Sequence, residues 1–180
     1  NYRPEMTSAG IEASYPVTVM DEFGNMRETH ITGERPLTIY VDKQEIVTLM
    51  TLGKYPELLV IGYLHNQGFI KNSEELKAVQ VDWDIDCAVV VTRDGIGEWE
   101  EKLGKRTVTT GCGQGTVFGD LMENLDEIQL PTPTLYQSSF YSLLHNIREY
   151  NEVYKKSGAV HGCALCKGEK IEVFIEDVGR

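Results

Sequence analysis

Cys112 has the surroundings that sulfur chemistry requires, because it lies in the segment Thr-Thr-Gly-Cys-Gly-Gln-Gly at residues 109–115. The reactive form of cysteine is the thiolate, and an unperturbed thiol ionises with a pKa of about 8.5. Gly111 and Gly113 leave the sulfur without steric cover and let backbone N–H groups turn toward it, where they can stabilise an anion. The pattern therefore favours a thiol that is accessible and readily ionised.

Basic residues upstream of this segment favour the same interpretation. Lys102, Lys105 and Arg106 would lower the pKa of the Cys112 thiol by their positive charge. The alternative is a small apolar side chain in a tight turn, because free cysteines are usually buried. Spacing alone leaves both interpretations open.

A second group of possible ligands consists of His161, Cys163 and Cys166. One histidine and two cysteines within six residues suggest a zinc site, with Cys112 as the fourth ligand. If residues 159–165 form a strand, however, His161 and Cys163 share one face and Cys166 points to the other. We therefore expect no bound metal, and two thiols packed in a buried apolar strand.

The segment Glu-Asp-Val-Gly-Arg at residues 176–180 follows an alternating apolar run and leads toward a helix start. Backbone donors there would suit a phosphate or the edge of a cofactor, and Arg180 could pair with it. The alternative is that Asp177 caps the helix and forms a salt bridge with Arg180, which the local sequence alone favours. An alternating strand directly before the end also leads us to expect that the protein continues beyond Arg180.

Composition excludes several classes of protein. The chain has 180 residues, 41% of them hydrophobic, and a formal net charge of -11. This charge argues against nucleic-acid binding, which depends on neutralising phosphates with lysine and arginine. No run approaches the roughly 18–20 apolar residues of a membrane helix, and the first residues contain no apolar signal region. We therefore expect a cytoplasmic protein without membrane contact, in which four cysteines are too few for a disulfide scaffold.

The apolar periodicity predicts an α+β protein with a small β-rich N-terminal part. Strands are expected as hairpins over 11–32, 37–49 and 159–175, and as single runs over 79–83, 88–92 and 105–110. Helices are expected over 55–67 and 138–154, the second capped by Ser138 or Ser139. Four glycines make residues 111–119 a loop, and Pro131 with Pro133 marks the boundary between domains 1–130 and 131–180.

Several segments of the chain carry a common resemblance. They are, in order, GERPLTIYVDKQ, TLGKYPELLVIGYLHNQGFI, TVTTGCGQG, SGAVHGCAL and EDVGR. Taken together, they resemble the FdhD family of formate dehydrogenase accessory sulfurtransferases. The resemblance covers about residues 33–180, the N-terminal two-thirds of such a protein, and ends at the family's E-D-V-G-R motif.

This resemblance implies a function and a fold. Family members accept sulfur as a cysteine persulfide from a cysteine desulfurase and deliver it to the cofactor of formate dehydrogenase. That cofactor is the molybdenum or tungsten bis(pterin guanine dinucleotide), which here is the substrate. The fold implied is a three-layer α/β part resembling cytidine deaminases, of which residues 131–180 would be the truncated start. We expect a homodimer.

By the same resemblance, the persulfide would form on Cys112. The residues expected to contact the anionic cofactor are Gly111, Gly113, Lys105, Arg106, His161, Asp177 and Arg180. Two features depart from the family pattern. Position 115 is Gly where the family loop commonly has a second cysteine, and Cys163 and Cys166 stand where small apolar residues are usual.

Two other classes of function stay open. A non-catalytic chaperone for the cofactor or the dehydrogenase would tolerate the loss of the second loop cysteine. A zinc-dependent, deaminase-like hydrolase would need His-x-Glu and Pro-Cys-x-x-Cys, and the sequence contains neither.

Overall fold

The structure, a computed structural model, describes residues 2–95, 99, 106–108, 116–118, 129, 132 and 134–178, with backbone only for 106–108 and 116–118. The chain divides into two compact units. The first comprises Asn1–Ile11 and Arg35–Gln129, and the second comprises Glu12–Glu34 and Leu130–Arg180. The assignment of domains 1–130 and 131–180 stays a prediction.

The described residues form several small sheets and few helices, which confirms a mixed α and β protein. The strands are β1 (Glu5–Met6), β2 (Ser14–Met20), β3 (Met26–Thr32), β4 (Arg35–Val41), β5 (Gln44–Thr51), β6 (Leu76–Asp82), β7 (Cys87–Thr92), β8 (Arg106–Val108), β9 (Thr116–Phe118), β10 (His161–Lys167) and β11 (Lys170–Asp177). The α-helices of the described residues are α1 (Pro56–Asn66), α2 (Gln137–Tyr150) and α3 (Glu152–Ser157), and Ser73–Glu75 form a short 3-10 helix. In this part of the chain, no helix is long and apolar enough to cross a membrane.

The first unit contains a five-stranded sheet in the order β1-β6-β7-β4-β5. Strand β4 pairs antiparallel with β5 through the predicted hairpin, and parallel with β7. Alternate residues of β4, namely Leu37, Ile39 and Val41, are fully buried, as expected for a sheet with one face on the core. Val60 and Leu64 of α1 are buried in the same core.

Glu57, in the first turn of α1, is a buried acid at 6% exposure. Its Oε1 accepts the hydroxyl of Thr7 and the backbone N–H of Ala9, both at 2.7 Å. Thr7 Oγ1 in turn accepts the N–H of Val81 at 3.0 Å, and the Trp83 indole donates to the Ala9 carbonyl at 2.6 Å. Glu57 therefore fixes residues 7–9 between α1 and the β6 region.

The described residues of the second unit form two hairpins and two helices. Hairpin β2–β3 contacts α3, and α2 packs on β11 of hairpin β10–β11. The predicted helix over 138–154 is wrong in its extent, because Asn151 has ψ 71° and interrupts it between α2 and α3. The predicted serine caps are wrong as well. Tyr136 is the N-cap residue and makes no side-chain capping bond, while Ser138 and Ser139 lie inside the first turn.

Replacing Glu57 by alanine should lower the free energy of unfolding of the first unit by about 2 kcal/mol, because two partly buried hydrogen bonds lose their acceptor. Glu57→Gln should cost less, since an amide oxygen can still accept. Urea denaturation followed by tryptophan fluorescence measures both changes. Glu5→Ala is the control, because Glu5 is an exposed acid of the same N-terminal segment. Equal stability of Glu57→Ala and Glu5→Ala would contradict the structural role.

Candidate functional site

The segment that contains Cys112 is bounded by two paired strands. Strands β8 and β9 run antiparallel, with Arg106 opposite Phe118 and Val108 opposite Thr116. Directly opposed residues of such strands have Cα atoms about 4.5–5.5 Å apart. The residues that precede and follow segment 109–115 are therefore held side by side.

The prediction of a loop over 111–119 is wrong for its last part, because Thr116–Phe118 form strand β9. Threonine, valine and phenylalanine all favour strands, and their preference outweighs the glycine content around them. The β-prone run over 105–110 is confirmed for Arg106–Val108. Five predicted site residues lie outside the described part of the chain: Lys105, Gly111, Cys112, Gly113 and Arg180. Their roles stay predictions, as does that of the Arg106 side chain.

His161 and Asp177 are brought together by the pairing of β10 with β11, in which they are directly opposite. Opposed residues of an antiparallel pair project from the same face, with Cβ atoms about 4.5–5.5 Å apart. His161 is exposed and Asp177 is half-buried. Asp177 Oδ1 accepts the N–H of Val178 at 2.7 Å. An imidazole and a carboxylate on one accessible face could bind the polar groups of a ligand.

Glu176, next to Asp177, is turned the other way and is only 4% exposed. Its two carboxylate oxygens accept the backbone N–H groups of Val153 and Tyr154, each at 2.9 Å. These are donors in the first turn of α3, which no helical carbonyl can satisfy. The bonds hold β11 to α3 and so fix the strand that carries Asp177.

Sequence analysis missed Glu176, although a signal for it exists. In a strand, two consecutive acids must face opposite sides. If one face of that strand is covered, one of Glu176 and Asp177 must turn inward and needs hydrogen-bond donors.

The interpretation of Cys163 and Cys166 as packed thiols in a buried strand is wrong. Cys163 is exposed and Cys166 is half-buried, and Leu165 between them is 67% exposed. The two-stranded sheet β10–β11 is contacted by α2 through β11, which explains why β10 is left largely open. The alternation of exposed and half-buried residues agrees with the assignment of the two cysteines to opposite faces. Among the described residues, no group of three or more histidine, cysteine or acidic side chains could hold a metal ion.

Cys87 is a half-buried thiol at the start of β7, and its Sγ donates to the Ile85 carbonyl at 3.2 Å. Burial raises the pKa of the Cys87 thiol, and the nearby carboxylates of Asp86 and Asp82 raise it further. Because the thiolate is the nucleophile, Cys87 is poorly suited to sulfur transfer at neutral pH.

Comparison with known proteins supplies the context for this geometry. The model of the FdhD/NarQ family matches residues 32–180. The sulfur carrier protein FdhD of Listeria monocytogenes serotype 4b (strain F2365) is 27% identical over 157 residues, which cover 85% of this chain and 60% of the relative. The sulfur carrier protein FdhD of Bacillus pumilus (strain SAFR-032) is 28% identical over 156 residues, covering 83% and 58%. The chain thus spans about 60% of the length of these curated relatives.

A solved structure shares the fold. It is the crystal structure of a Desulfotalea psychrophila protein described as a formate dehydrogenase accessory protein. The TM-score is 0.63 at 21% identity, and the match covers 93% of this chain and 62% of that one. At this level of identity, the similarity establishes the fold alone.

A limiting amount of alkylating reagent at mildly alkaline pH should label Cys112 before the other thiols. Cys87 should lag most, because its raised pKa keeps it protonated. Peptide mapping by mass spectrometry measures the order, and Cys87→Ser and Cys163→Ser variants serve as controls for assignment. Preferential labelling of the exposed Cys163 would contradict the prediction.

Substitution of Glu176 by alanine should speed amide hydrogen exchange at Val153 and Tyr154, because both N–H groups lose a buried acceptor. The local cost should be about 2–3 kcal/mol, as charged acceptors contribute more than neutral ones. Glu172→Ala is the matched control, since Glu172 is an acid of the same strand that pairs with exposed Lys170. Unchanged exchange in the Glu176 variant would refute the role of this carboxylate.

Proposed function

The chain belongs to the FdhD/NarQ family, and from this membership we propose that it carries sulfur for the maturation of formate dehydrogenase. Cys112 takes sulfur as a persulfide from a cysteine desulfurase. It then delivers that sulfur to the molybdenum or tungsten bis(pterin guanine dinucleotide) cofactor, which is the substrate. The relatives named sulfur carrier protein FdhD support this proposal.

The observation that carries the assignment to Cys112 is the register of β8 and β9. The opposed pair Val108 and Thr116 holds together the two sides of the segment in which Cys112 lies between glycines. The properties of the other thiols agree with this choice. Cys87 has a raised pKa, and neither Cys163 nor Cys166 has a glycine on both sides, as Cys112 does.

Neither step needs an external oxidant or reductant, because the outer sulfur moves at the sulfane (zero-valent) level and the attacking group provides the electron pair of the new bond. The Cys112 thiolate attacks the outer sulfur of the donor's persulfide, a new S–S bond forms, and the donor cysteine leaves as a thiolate. The acceptor then attacks the outer sulfur on Cys112, and the Cys112 thiolate leaves with the electron pair of the broken bond. Gly115 supplies no thiol to intercept the persulfide within the loop, so delivery waits for the acceptor.

The anionic substrate would be held by charge and by backbone donors. Lys105 and Arg106 precede the Cys112 segment and would pair with its pyrophosphates, and Gly111 and Gly113 would let backbone N–H groups approach. His161 and Asp177 share one face of hairpin β10–β11 and, by the resemblance to the family, would bind polar groups of a cofactor together with Arg180. These contacts would allow a chain of net charge -11 to bind an anion.

A non-catalytic maturation chaperone is the second candidate, because Gly115 stands at the position of the family's second loop cysteine. Such a protein would bind the cofactor without carrying sulfur. We further propose that the chain acts as a homodimer in the cytoplasm, and that residues 131–180 begin a cytidine-deaminase-like domain.

Incubation with a cysteine desulfurase and cysteine should add one sulfur atom to Cys112, because this thiol has no resolving partner in its loop. Intact mass spectrometry of the wild type, Cys112→Ala and a Cys163→Ala/Cys166→Ala double variant measures the loading. We expect the double variant to load normally and Cys112→Ala to load nothing. Loading of Cys112→Ala, with failure of the double variant, would move the site to β10. Failure of the wild type to load while it binds the cofactor would favour the chaperone.

A further inference from the structure

The turn between β2 and β3 presents a cluster of exposed apolar side chains, which we name the Phe23 tip. Phe23 is 81% exposed, Met20 69% and Met26 67%. Met20 and Met26 are direct cross-strand partners, and Phe23 lies midway along the turn that joins them. Single exposed apolar residues are common on protein surfaces, whereas a cluster of large ones marks an interaction site.

The Phe23 tip is held in shape by its turn. Asp21 Oδ1 accepts the N–H groups of Phe23 at 3.0 Å and Asn25 at 2.8 Å. The Asn25 carbonyl accepts the N–H of Asp21, and Gly24 takes the positive φ of 83° that the turn requires. The bond from the Asn25 N–H also lowers the pKa of the Asp21 carboxyl, which keeps it charged. A preorganised surface loses little conformational entropy on binding.

Charges around the tip select among possible occupants. Asp21, Glu22 and Glu28 are acidic and Arg27 is the nearby base, so the tip is negative. An anionic membrane surface attracts lysine and arginine and repels such a tip. Two copies of the tip would bring like charges together. An apolar pocket rimmed by basic residues complements both the aromatic side chain and the carboxylates.

We infer that the Phe23 tip docks into an apolar pocket, rimmed by lysine or arginine, on a partner protein. Phe23 is the anchor that enters the pocket, and the flexible side chains of Met20 and Met26 adapt to its edge. The hairpin precedes residues 32–180, which the family model matches, so this surface is additional to the proposed sulfur-transfer site. The choice of partners to test rests on the proposed function.

The experiment measures binding of the intact protein to two purified probes from its own organism, formate dehydrogenase and a cysteine desulfurase. Biolayer interferometry should show that Phe23→Ser binds one of them about 30-fold more weakly than the wild type, as expected for a hot-spot residue. Glu22→Lys should slow association and reduce its salt dependence. Ile85→Ser is the matched control and should bind normally, because Ile85 is 66% exposed in the turn between β6 and β7.

Several outcomes would overturn the inference. These are equal affinity of Phe23→Ser and wild type, no binding of the wild type to either probe, Phe23-dependent dimerisation, and Phe23-dependent binding to phosphatidylserine vesicles. A melting temperature of Phe23→Ser well below that of Ile85→Ser would show that the protein itself covers the tip, and would also refute docking. Sulfur loading of Cys112, measured separately by intact mass, reports on the proposed function.

Discussion

A carboxylate can be buried in a protein only where donors replace the water that it loses. The two buried acids of the described residues, Glu57 and Glu176, both meet this condition with backbone N–H groups. Each joins segments that are distant in sequence: Glu57 joins α1 to residues 7–9, and Glu176 joins β11 to the start of α3. The bonds are directional, so they fix orientation as well as proximity. In each unit, one buried carboxylate therefore fixes a helix relative to a segment that is distant in sequence.

The consequence for the candidate site follows from strand alternation. Because the Glu176 carboxylate is fixed inward on α3, the next residue, Asp177, must face the opposite side of β11. Antiparallel pairing then sets His161 beside Asp177 on that face. Glu176, which faces inward, thus stabilises the fold, and Asp177, which faces outward, belongs to the proposed substrate-binding site. A shift of one residue in the pairing of β11 with β10 would turn each side chain to the other face and bury Asp177 in place of Glu176.

Local patterns predicted the elements that local interactions determine. Hairpins β2–β3, β4–β5 and β10–β11 and helix α1 follow from alternation, turn residues and a proline in the first helical turn. The sequence could not reveal that Asn151 divides the predicted helix over 138–154, because the acceptor for the first N–H groups of α3 is Glu176, more than 20 residues away. The exposure of Cys163 was missed for a related reason. Apolar composition predicts a strand, but only tertiary packing determines whether that strand is covered.

For the candidate site, the sequence named Cys112 from its neighbours, and the structure adds the register of the flanking strands. The three other cysteines show that the surroundings of a thiol determine whether it is suited to sulfur transfer. Cys87 is partly desolvated and lies near carboxylates, which raises its pKa. A thiol that transfers sulfur needs the opposite surroundings, namely hydrogen-bond donors or cations that stabilise the thiolate. In the proposed site, the basic residues closest to Cys112 in sequence, Lys105 and Arg106, would supply that positive charge in a chain with an excess of acids. On this proposal, an acidic protein handles an anionic sulfur species by concentrating cations where the negative charge develops.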